Sequence, residues 1–255
     1  MAKKYYVVWQ GRETGIFTDW NTCKKHIDKF AGARYKSFLT LAEAEQAFGS
    51  GAATKKSSGS AAPRKRSTAQ TVKTYTAAEV DALQVDTKIF TDGGCEPNPG
   101  QAGSGVAVYR DNQISELWYG MYNPKGTNNT AELNALHQAM IMAEAEIADN
   151  RSVAIFCDSK YSIQCITQWA VGWEKKGWKK AGGEIKNLEL IKEMFALYQS
   201  LKDKIQILHV NGHVGVEGNE LADRMSILAI GNRETDFSRY REDLNVDALL
   251  AMRAG

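Results

Sequence analysis

Four acidic residues fall at positions where a sequence can build a cation site. Asp92 and Asp158 each follow a short apolar run that predicts a strand, while Glu132 and Asp223 stand near the starts of predicted helices. Four carboxylates in one cleft repel one another unless cations lie between them, and hard oxygen ligands select Mg²⁺, with Mn²⁺ as a substitute. Two such ions activate water and stabilise the leaving oxygen in phosphodiester hydrolysis. Metal-assisted hydrolysis is therefore the first hypothesis.

Two candidate residues also have ordinary structural interpretations. Asp92 precedes a pair of glycines, and Asp-Gly is typical of a simple turn. His213, flanked by glycines after the last predicted strand, is suited to proton transfer or to release of product and metal. A helix-capping or structural histidine is the alternative at that position.

The elements that must position these residues follow a β-β-β-α-β-α-β-α order from residue 86 onward. Strands are predicted at Thr87–Thr91, Ser104–Arg110, Ile114–Met121, Ser152–Cys157 and Lys204–Val210. Helices are predicted at Asn128–Ala148, directly after Tyr161, at Lys186–Leu201 and, after Asp223, up to about Ile230. A short helix of unknown purpose is expected at Leu244–Met252 in the C-terminal extension. If the first and fourth strands are parallel neighbours, joined by a right-handed crossover, Asp92 and Asp158 lie side by side at one edge of the sheet.

Residues 4–48 predict a separate small α+β unit. Its strands are expected at Tyr5–Trp9 and Gly15–Thr18, followed by a helix at Asn21–Phe30 with Asn21 as the N-cap. A unit of fewer than 50 residues has a marginal core, so its apolar residues are first expected to serve packing.

Two aromatic residues of this unit have a second interpretation. Trp20 precedes the predicted helix, and Tyr35 is flanked by Arg34 and Lys36. Aromatic rings beside basic residues are typical of a platform that stacks on bases next to phosphate groups. The pattern alone favours core packing for both rings.

Charge is distributed unevenly along the 255 residues. Basic and acidic side chains number 8 and 5 in residues 1–49, 6 and 0 in residues 50–78, and 18 and 25 in residues 79–255. The basic residues 1–78 indicate a polyanionic partner, and the acidic residues 79–255 are consistent with a cluster of carboxylates such as a metal site. Residues 50–85, rich in small and polar residues over most of their length, predict a flexible basic linker.

The composition argues against several other classes. The cysteines form no Cys-x-x-Cys pair, which disfavours zinc. No apolar run approaches the ~18 residues of a membrane span, and the N-terminus lacks a signal-peptide pattern. A soluble, reduced, monomeric protein of the cytoplasm without a membrane partner is expected, associated with the nucleoid if the source is bacterial. The nucleus and the organelles remain alternatives.

Five motifs in residues 87–230 resemble type 1 ribonuclease H in order and spacing. They are Thr91-Asp-Gly-Gly, Asn128-Asn-Thr-Ala-Glu132-Leu, Asp158-Ser-Lys-Tyr, Trp169-x-x-x-Trp173-x-x-x-Gly-Trp178 and Gly212-His-x-Gly-x-x-Gly-Asn-Glu-x-Ala-Asp223. The front motifs Gly11-Arg-x-Thr-Gly-Ile-Phe, Trp20-Asn-x-Cys and Ala33-Arg-Tyr-Lys-x-Phe resemble the hybrid-binding domain of the same family.

The resemblance implies a fold and a domain order. The expected α/β fold has a ribonuclease H-like mixed five-stranded sheet flanked by helices, with a small N-terminal α+β hybrid-binding domain on a flexible linker. The expected boundaries are 1–49 for the hybrid-binding domain, 50–85 for the linker, 86–230 for the catalytic domain and 231–255 for a C-terminal extension.

The resemblance also implies an activity and roles for residues. The expected enzyme is an endonuclease that hydrolyses the RNA strand of RNA–DNA hybrids with two Mg²⁺ ions and leaves 5′-phosphate and 3′-hydroxyl ends. The metal ligands would be Asp92, Glu132, Asp158 and Asp223, with His213 as the catalytic loop histidine. A groove for RNA 2′-hydroxyls would contain Cys95, Asn98 and Asn129. A DNA phosphate pocket and channel would contain Lys125, Thr127, Asn128, Asn187, Trp169 and Trp173. In the hybrid-binding domain, Trp20, Tyr35 and Lys36 would contact the RNA–DNA hybrid. Double-stranded RNA is the alternative ligand of this domain.

Two other functions compete with this expectation. Integrases, transposases and Holliday-junction resolvases use clustered acids on the same type of sheet, although they lack the front domain and the basic Trp-rich segment. A hybrid-binding protein without catalysis is the other candidate, and the presence of all four acids argues against it.

Overall fold

Two compact units, residues 1–68 and 69–255, make up the chain. The computed structural model describes residues 4–28, 30, 33–38, 40–49, 72–212 and 214–255. Most of the predicted linker, residues 50–71, lies outside these ranges. Within them, no helix has both the length and the apolar character that a membrane crossing requires.

The smaller unit forms, in the part of residues 4–49 that is described, a three-stranded antiparallel sheet with two helices. Its elements are β1 (Tyr5–Gln10), β2 (Gly15–Phe17), α1 (Trp20–Ile27), β3 (Arg34–Phe38) and α2 (Leu41–Gly49). The strand order is β2-β1-β3, and Val8, Cys23 and Ile27 form a small buried cluster. The predicted α+β architecture is confirmed.

Helix α1 begins earlier than the sequence predicts. Asp19 is its N-cap, because the Oδ2 atom accepts hydrogen bonds from Thr22 N at 2.7 Å and from Thr22 Oγ1 at 2.8 Å. The assignment of Asn21 as N-cap was wrong. Asp and Asn cap helices about equally well, so the sequence alone does not separate the two positions.

The larger unit contains, among its described residues, one mixed sheet of seven strands. They are β4 (Thr74–Tyr75), β5 (Thr87–Glu96), β6 (Gly100–Arg110), β7 (Gln113–Gly126), β8 (Val153–Cys157), β9 (Ile205–Val210) and β10 (Ser238–Arg239). The spatial order is β10-β7-β6-β5-β8-β9-β4. The five long strands are the predicted ones, and the two-residue strands β4 and β10 extend the sheet at its edges.

Helices cover both faces of this sheet. They are α3 (Ala77–Ala82), α4 (Asn128–Ala148), α5 (Lys160–Gln164), α6 (Ala170–Glu174), α7 (Leu188–Leu201), α8 (Glu217–Asn232) and α9 (Val246–Leu250), with a π-helical turn at Cys165–Trp169 between α5 and α6. Ile155 packs with α4 and α7 on one face, whereas Phe156 packs with α8 on the other. Successive residues of β8 therefore serve two cores, as the two-residue period of a strand requires.

Strand β5 is longer than predicted. It runs parallel to β8 as far as the Thr91–Cys157 pair, and antiparallel to β6 as far as the Glu96–Gln101 pair. Asp92 therefore lies inside the antiparallel ladder, one residue beyond the parallel one, and the predicted strand end at Thr91 was wrong. The two glycines that suggested a turn remain in the strand because β6 continues to pair with them.

Residues 72–85, which the sequence assigned to the linker, contain ordered elements of the larger unit. Strand β4 pairs in parallel with β9, and Val80 of α3 is buried in the same core as Phe90. The Lys88 ammonium group donates to Val80 O at 2.7 Å and to Asp81 O at 3.2 Å, at the carboxyl end of α3. Strand pairing, apolar packing and this cap attach the segment to the sheet.

Candidate active site

The four acids named from the sequence line one cleft, of about 480 Å³, at the end of the β5–β8 ladder. Asp92 follows that ladder on β5 and Asp158 follows it on β8, so the parallel pairing places them side by side. Glu132 comes from the first turns of α4 and Asp223 from α8. Asp92, Glu132 and Asp223 are at most 6% exposed.

The approach of α4 to β5 depends on a missing side chain. A Cβ atom on Gly93 would lie 2.3 Å from Glu132 N and 2.5 Å from Ala131 C, far inside van der Waals contact. Ser104 Oγ donates to Ala131 O at 2.8 Å and holds the helix start against β6. The glycine at position 93 therefore lets the start of α4 approach β5 closely, which brings Glu132 near Asp92.

The electrostatics of the cleft favour a bound cation. Burial, then the negative charges of Asp158 and Asp223, hold the pKa of Asp92 well above its usual range. Burial, then the charges of Asp92 and Asp158, raise the pKa of Glu132 in the same way, against a smaller opposite effect of the Gly93 N–H. A cation in the cleft would remove both causes, since it both solvates and neutralises the carboxylates.

Donor atoms in the cleft fit a divalent cation. Glu132 Oε2 is buried and has no hydrogen-bond partner among the described residues. Side-chain ligand atoms of Glu132, Cys157 and Asp158 lie within 4.8 Å of one another. Burial and the two carboxylates hold the pKa of the Cys157 thiol well above its usual range, so Cys157 stays a neutral core residue. The remaining donors are carboxylate oxygens, which suit Mg²⁺ or Mn²⁺.

Asp223 accepts hydrogen bonds from an arginine side chain and from a backbone N–H group far along the chain. Arg224 Nη1 lies 2.5 Å from its Oδ2 atom, and Gly255 N donates to Oδ1 and Oδ2 at 3.1 and 3.2 Å. Arg253 forms an ion pair with Glu96 at the rim of the cleft. Residues 253–255 thus line the same cleft as the acids, which nothing in their sequence pattern indicated.

The three residues expected to read RNA lie around the start of α4. Cys95 lies on β5, where its thiol donates to Pro97 O at 3.3 Å. Asn98 Oδ1 accepts a hydrogen bond from Asn128 N at 3.3 Å. Asn129 is exposed on the first turn of α4. Cys95 and Asn128 also line the carboxylate cleft, so this edge is continuous with the acids.

The residues expected to hold a DNA phosphate lie at two helix N-termini. Thr127 is the N-cap of α4, with its Oγ1 atom accepting from Thr130 N at 3.2 Å. Asn187 precedes α7 in the left-handed region, with φ of 57°, and its Oδ1 atom accepts from Thr130 Oγ1 at 3.1 Å. Thr130, which joins Thr127 to Asn187, was not identified from the sequence. Its position three residues after a threonine N-cap indicates a hydrogen bond to that cap. Helix N-termini attract phosphate groups, and Lys125 is exposed nearby in the chain.

The tryptophans divide between surface and core. Trp169 is 37% exposed, and its ring lies 5.6 Å from that of Tyr161 and 6.0 Å from that of Trp173. Trp178 packs edge-on against Phe195 at 5.9 Å and, like Trp173, is partly buried against the core. The basic side chains of this segment are all exposed, namely Lys175, Lys176, Lys179 and Lys180.

The smaller unit presents its candidate residues on the surface. Trp20 and Tyr35 are 41% and 48% exposed, and their ring centroids are 6.0 Å apart. Lys36 is exposed, with Nζ 5.4 Å from the Phe38 ring centroid. The two aromatic residues do not build the core, in contrast to what the pattern alone favoured. His213, the loop histidine of the larger unit, lies outside the described residues.

Comparisons with known proteins agree with these motifs. A family model described as RNase H matches residues 84–230, and one described as Ribonuclease H1 N-terminal domain matches residues 4–48. The chain is 31% identical to Ribonuclease H1 of Mus musculus and 30% identical to that of Homo sapiens, in each case over 87% of both chains. It is 40% identical to Ribonuclease H of Thermosynechococcus vestitus, over 53% of this chain and 82% of the relative.

Solved structures show the same fold. A type 1 RNase H with the type 2 active-site motif matches with a TM-score of 0.50 and 23% identity, over 66% of this chain and 85% of that one. A foamy viral protease-reverse transcriptase in complex with double-stranded DNA matches with a TM-score of 0.50 and 21% identity, over 58% and 96%. The predicted fold class is therefore confirmed.

Proposed function

Since the chain belongs to the ribonuclease H family and is a ribonuclease H hydrolase, we propose that its four clustered acids cut the RNA strand of RNA–DNA hybrids with two divalent cations. The family supports endonucleolytic cleavage of RNA in such hybrids. One observation carries the assignment of the site: four acids on separate elements line one cleft, and two of them have strongly raised pKa values.

Asp92, Glu132, Asp158 and Asp223 would hold the cations, with Mg²⁺ as the physiological metal and Mn²⁺ as a substitute. When bound, the two ions would activate the attacking water and stabilise the leaving oxygen, so that the products carry 5′-phosphate and 3′-hydroxyl ends. The protein needs no covalent nucleophile, and His213 is proposed to move protons or to help the product leave.

The two strands of the hybrid are proposed to be distinguished by different surfaces. Cys95, Asn98 and Asn129 would contact RNA 2′-hydroxyls, the groups that DNA lacks. Thr127, Asn128 and Asn187, with Lys125, would hold a phosphate of the DNA strand at the two helix N-termini. Trp169 and Trp173 would line the DNA channel, and the four exposed lysines beside them would contact phosphates without reading sequence.

The smaller unit is proposed to bind the hybrid before cleavage. Trp20 and Tyr35 offer exposed ring faces next to Lys36, which suits stacking on the DNA strand. Double-stranded RNA is the alternative ligand of this unit. Residues 1–49 and 86–230 are proposed to be the binding and catalytic domains, joined by a flexible linker. A monomer that works in the cytoplasm is the proposed form.

A strand-specific assay tests the activity. Each strand of a hybrid is labelled in turn and incubated with the full chain and Mg²⁺, and shortening of the RNA strand alone is expected. Shortening of the DNA strand would favour the resolvase-like alternative, and shortening of neither would favour a binding protein. Extension of the RNA products by a polymerase tests for 3′-hydroxyl ends.

The Asp158→Asn variant tests the site. Hydrolysis should be lost while hybrid binding, measured by fluorescence anisotropy without divalent cations, stays largely intact, since the grooves and the smaller unit are unchanged. Near-normal turnover in this variant would refute the assignment of the acids.

The Trp20→Ala variant tests the smaller unit. Loss of one stacked base contact should weaken hybrid binding by about 5- to 160-fold, which corresponds to ~1–3 kcal/mol per base. Cleavage of the RNA strand at saturating hybrid should persist. Unchanged affinity for long hybrids would show that this surface has another task.

A further inference from the structure

A buried histidine connects β4, which lies within the predicted linker, to one of the four acids. His209 of β9 is 3% exposed. Its Nδ1 atom lies 2.8 Å from Thr74 Oγ1 on β4, and its Nε2 atom lies 3.0 Å from the backbone oxygen of Asp158. Neither contact follows from the motifs of the sequence, and Thr74 precedes the RNase H match, which begins at residue 84.

The chemistry of the two partners fixes the tautomer of the ring. A backbone oxygen only accepts hydrogen bonds, so Nε2 must carry a proton. The ring is buried, and both of its hydrogen-bond partners are uncharged, so no anion stabilises a positive charge on it and the neutral ring is the form that fits this site. In a neutral ring the other nitrogen is an acceptor. Thr74 must therefore donate its hydroxyl proton to Nδ1.

We propose that His209 is a positioning residue for Asp158 and that Thr74 selects the tautomer that this role requires. The proposal rests on the proposed function, because it gives His209 its importance through the catalytic role of Asp158. The proposal goes beyond that function, because neither Thr74 nor His209 lines the carboxylate cleft.

The backbone around Asp158 shows why such a contact matters. The β8–β9 ladder ends at the Cys157–His209 pair, and Ser159 already caps α5 through a bond from Ser162 N to its Oγ atom. Asp158 thus lies between the last residue of β8 and the N-cap of α5, and the His209 donor fixes its carbonyl group there. Gly212, beyond the end of β9, abuts its carboxylate: an added Cβ would lie 2.7 Å from Asp158 Oδ2.

The segment that carries Thr74 is held firmly enough to act in this way. Thr74 lies directly opposite His209 in the β4–β9 pairing. The following helix, α3, has a capping box in which Thr76 and Glu79 bond reciprocally, and it is tied to β5 by Lys88. A hydroxyl at this place therefore has a fixed position relative to the ring, so it can select one tautomer.

Nuclear magnetic resonance of the full chain tests the tautomer directly, without substrate or divalent cation. Long-range ¹H–¹⁵N spectra at pH 7.5 should show His209 protonated at Nε2 alone, with the signal assigned by its absence in His209→Gln. Protonation at Nδ1 alone would overturn the proposal, since the ring would then have no proton to donate to Asp158. Thr74→Val should shift the tautomer populations, and Thr74→Ser should not.

Two histidine variants separate positioning from general loss of structure. His209→Gln keeps an N–H close to the Nε2 position, whereas His209→Leu removes the donor and fills the space. His209→Leu should lower kcat by about 10- to 100-fold, as a small misplacement of a reacting group does, with the KM for hybrid within about twofold of normal. Calorimetric titration without hybrid should show weaker Mg²⁺ binding by His209→Leu, and His209→Gln should recover most of both properties. Equal kcat and Mg²⁺ affinity in the two variants would overturn the proposal.

Asp158→Asn distinguishes failure of this proposal from failure of the proposed function. If Asp158→Asn is inactive and His209→Leu is normal in kcat and Mg²⁺ affinity, the function stands and the positioning role is overturned. If Asp158→Asn retains normal turnover, the assignment of the acids has failed, and the tautomer measurement still decides whether His209 donates to residue 158.

Discussion

Helix α4 carries two buried glutamates whose surroundings are opposite. Glu132 near its start and Glu146 near its end are 5% and 7% exposed. Glu146 accepts hydrogen bonds from Arg110 Nε at 2.9 Å and Thr87 Oγ1 at 2.7 Å, and it pairs with Arg151 Nε at 3.1 Å. Glu132 faces other acids, and its Oε2 atom has no partner among the described residues.

The difference separates an acid that stabilises the fold from an acid kept for chemistry. Burial opposes ionisation of Glu146, but hydrogen bonds from Arg110 and Thr87 outweigh it and hold its pKa below the usual range. For Glu132 the neighbouring charges add to the effect of burial and raise its pKa. Two glutamates of similar solvent exposure therefore have pKa shifts of opposite direction, and their partners differ in the sign of their charge.

The largest expected effect concerns activity. Glu132→Gln should lower the rate of RNA cleavage by more than about 100-fold, because loss of even a residue that supports a metal ligand costs 10- to 100-fold. Glu146→Gln, a matched change on the same helix, should leave kcat within about threefold of normal, since chemistry at the opposite end of α4 does not involve it. A strand-specific assay at saturating Mg²⁺ measures both rates. Equal losses in the two variants would remove the distinction between the two glutamates.

The same pair of variants should change stability in opposite directions. Without divalent cation, Glu132→Gln should raise the free energy of unfolding by about 1–3 kcal/mol, because the amide avoids the cost of either protonating the carboxyl on folding or burying its charge. Glu146→Gln should lower it by about 1–3 kcal/mol, which is less than for a fully buried pair because Arg110 and Arg151 are 31% and 29% exposed. Denaturant unfolding followed by circular dichroism measures both. A destabilised Glu132→Gln variant would contradict the comparison.

Much of this region could be predicted from the sequence, and the failures have physical causes. The bounds of α4 follow from its apolar spacing, and the motifs identified acids that line one cleft. Strand β4 has two residues, too few for a period of two to be visible, so the attachment of residues 72–85 was missed. The contacts of Glu146 and His209 join residues 36 and 135 positions away, and no local pattern predicts such pairings.

The third expected effect is a pH dependence with two limbs. The pKa of Glu146 is lowered in the folded chain, so its stabilisation is present above its unfolded pKa of about 4.3 and is lost as the pH falls through the folded value. The pKa values of Asp92 and Glu132 are raised in the folded chain. Their contribution to stability is therefore fully present below the pKa values of the unfolded chain, and it is lost as the pH rises through the pKa values of the folded chain.

Thermal unfolding in buffers without divalent cation should resolve these limbs. The Tm of the unmodified chain should rise with pH in the acid range and then decline as the cleft ionises. Glu146→Gln should flatten the acid limb, and Glu132→Gln should flatten the decline. If Glu146→Gln leaves the acid range of the Tm profile unchanged and Glu132→Gln leaves its decline unchanged, other groups control the pH dependence of stability.

Added Mg²⁺ should give a smaller and selective effect. A ligand at 100 times its dissociation constant stabilises the folded state by about 2.7 kcal/mol, so the Tm should rise by several degrees. The rise should persist in Glu146→Gln and should be reduced in Glu132→Gln, because only the latter lacks a proposed ligand. Na⁺ at matched ionic strength serves as the control for screening. A rise that is equal in both variants would locate the cation elsewhere.

The smallest expected effect concerns Asp223, which accepts hydrogen bonds from Gly255 N and from Arg224. Gly255 N bonds both of its oxygens, and a neutral hydrogen bond is worth about 0.5–1.5 kcal/mol net. A cation that binds Asp223 competes with this donor for the same two oxygens, so deletion of residues 253–255 should tighten Mg²⁺ binding by about 2- to 10-fold in calorimetric titration. Arg253→Gln is the matched control, because it removes the ion pair with Glu96 and leaves the Gly255 donor in the chain. Weaker Mg²⁺ binding after the deletion would mean that residues 253–255 support the acid rather than compete for it, and Asp223 would then belong with Glu146 as an acid whose partners serve its structure.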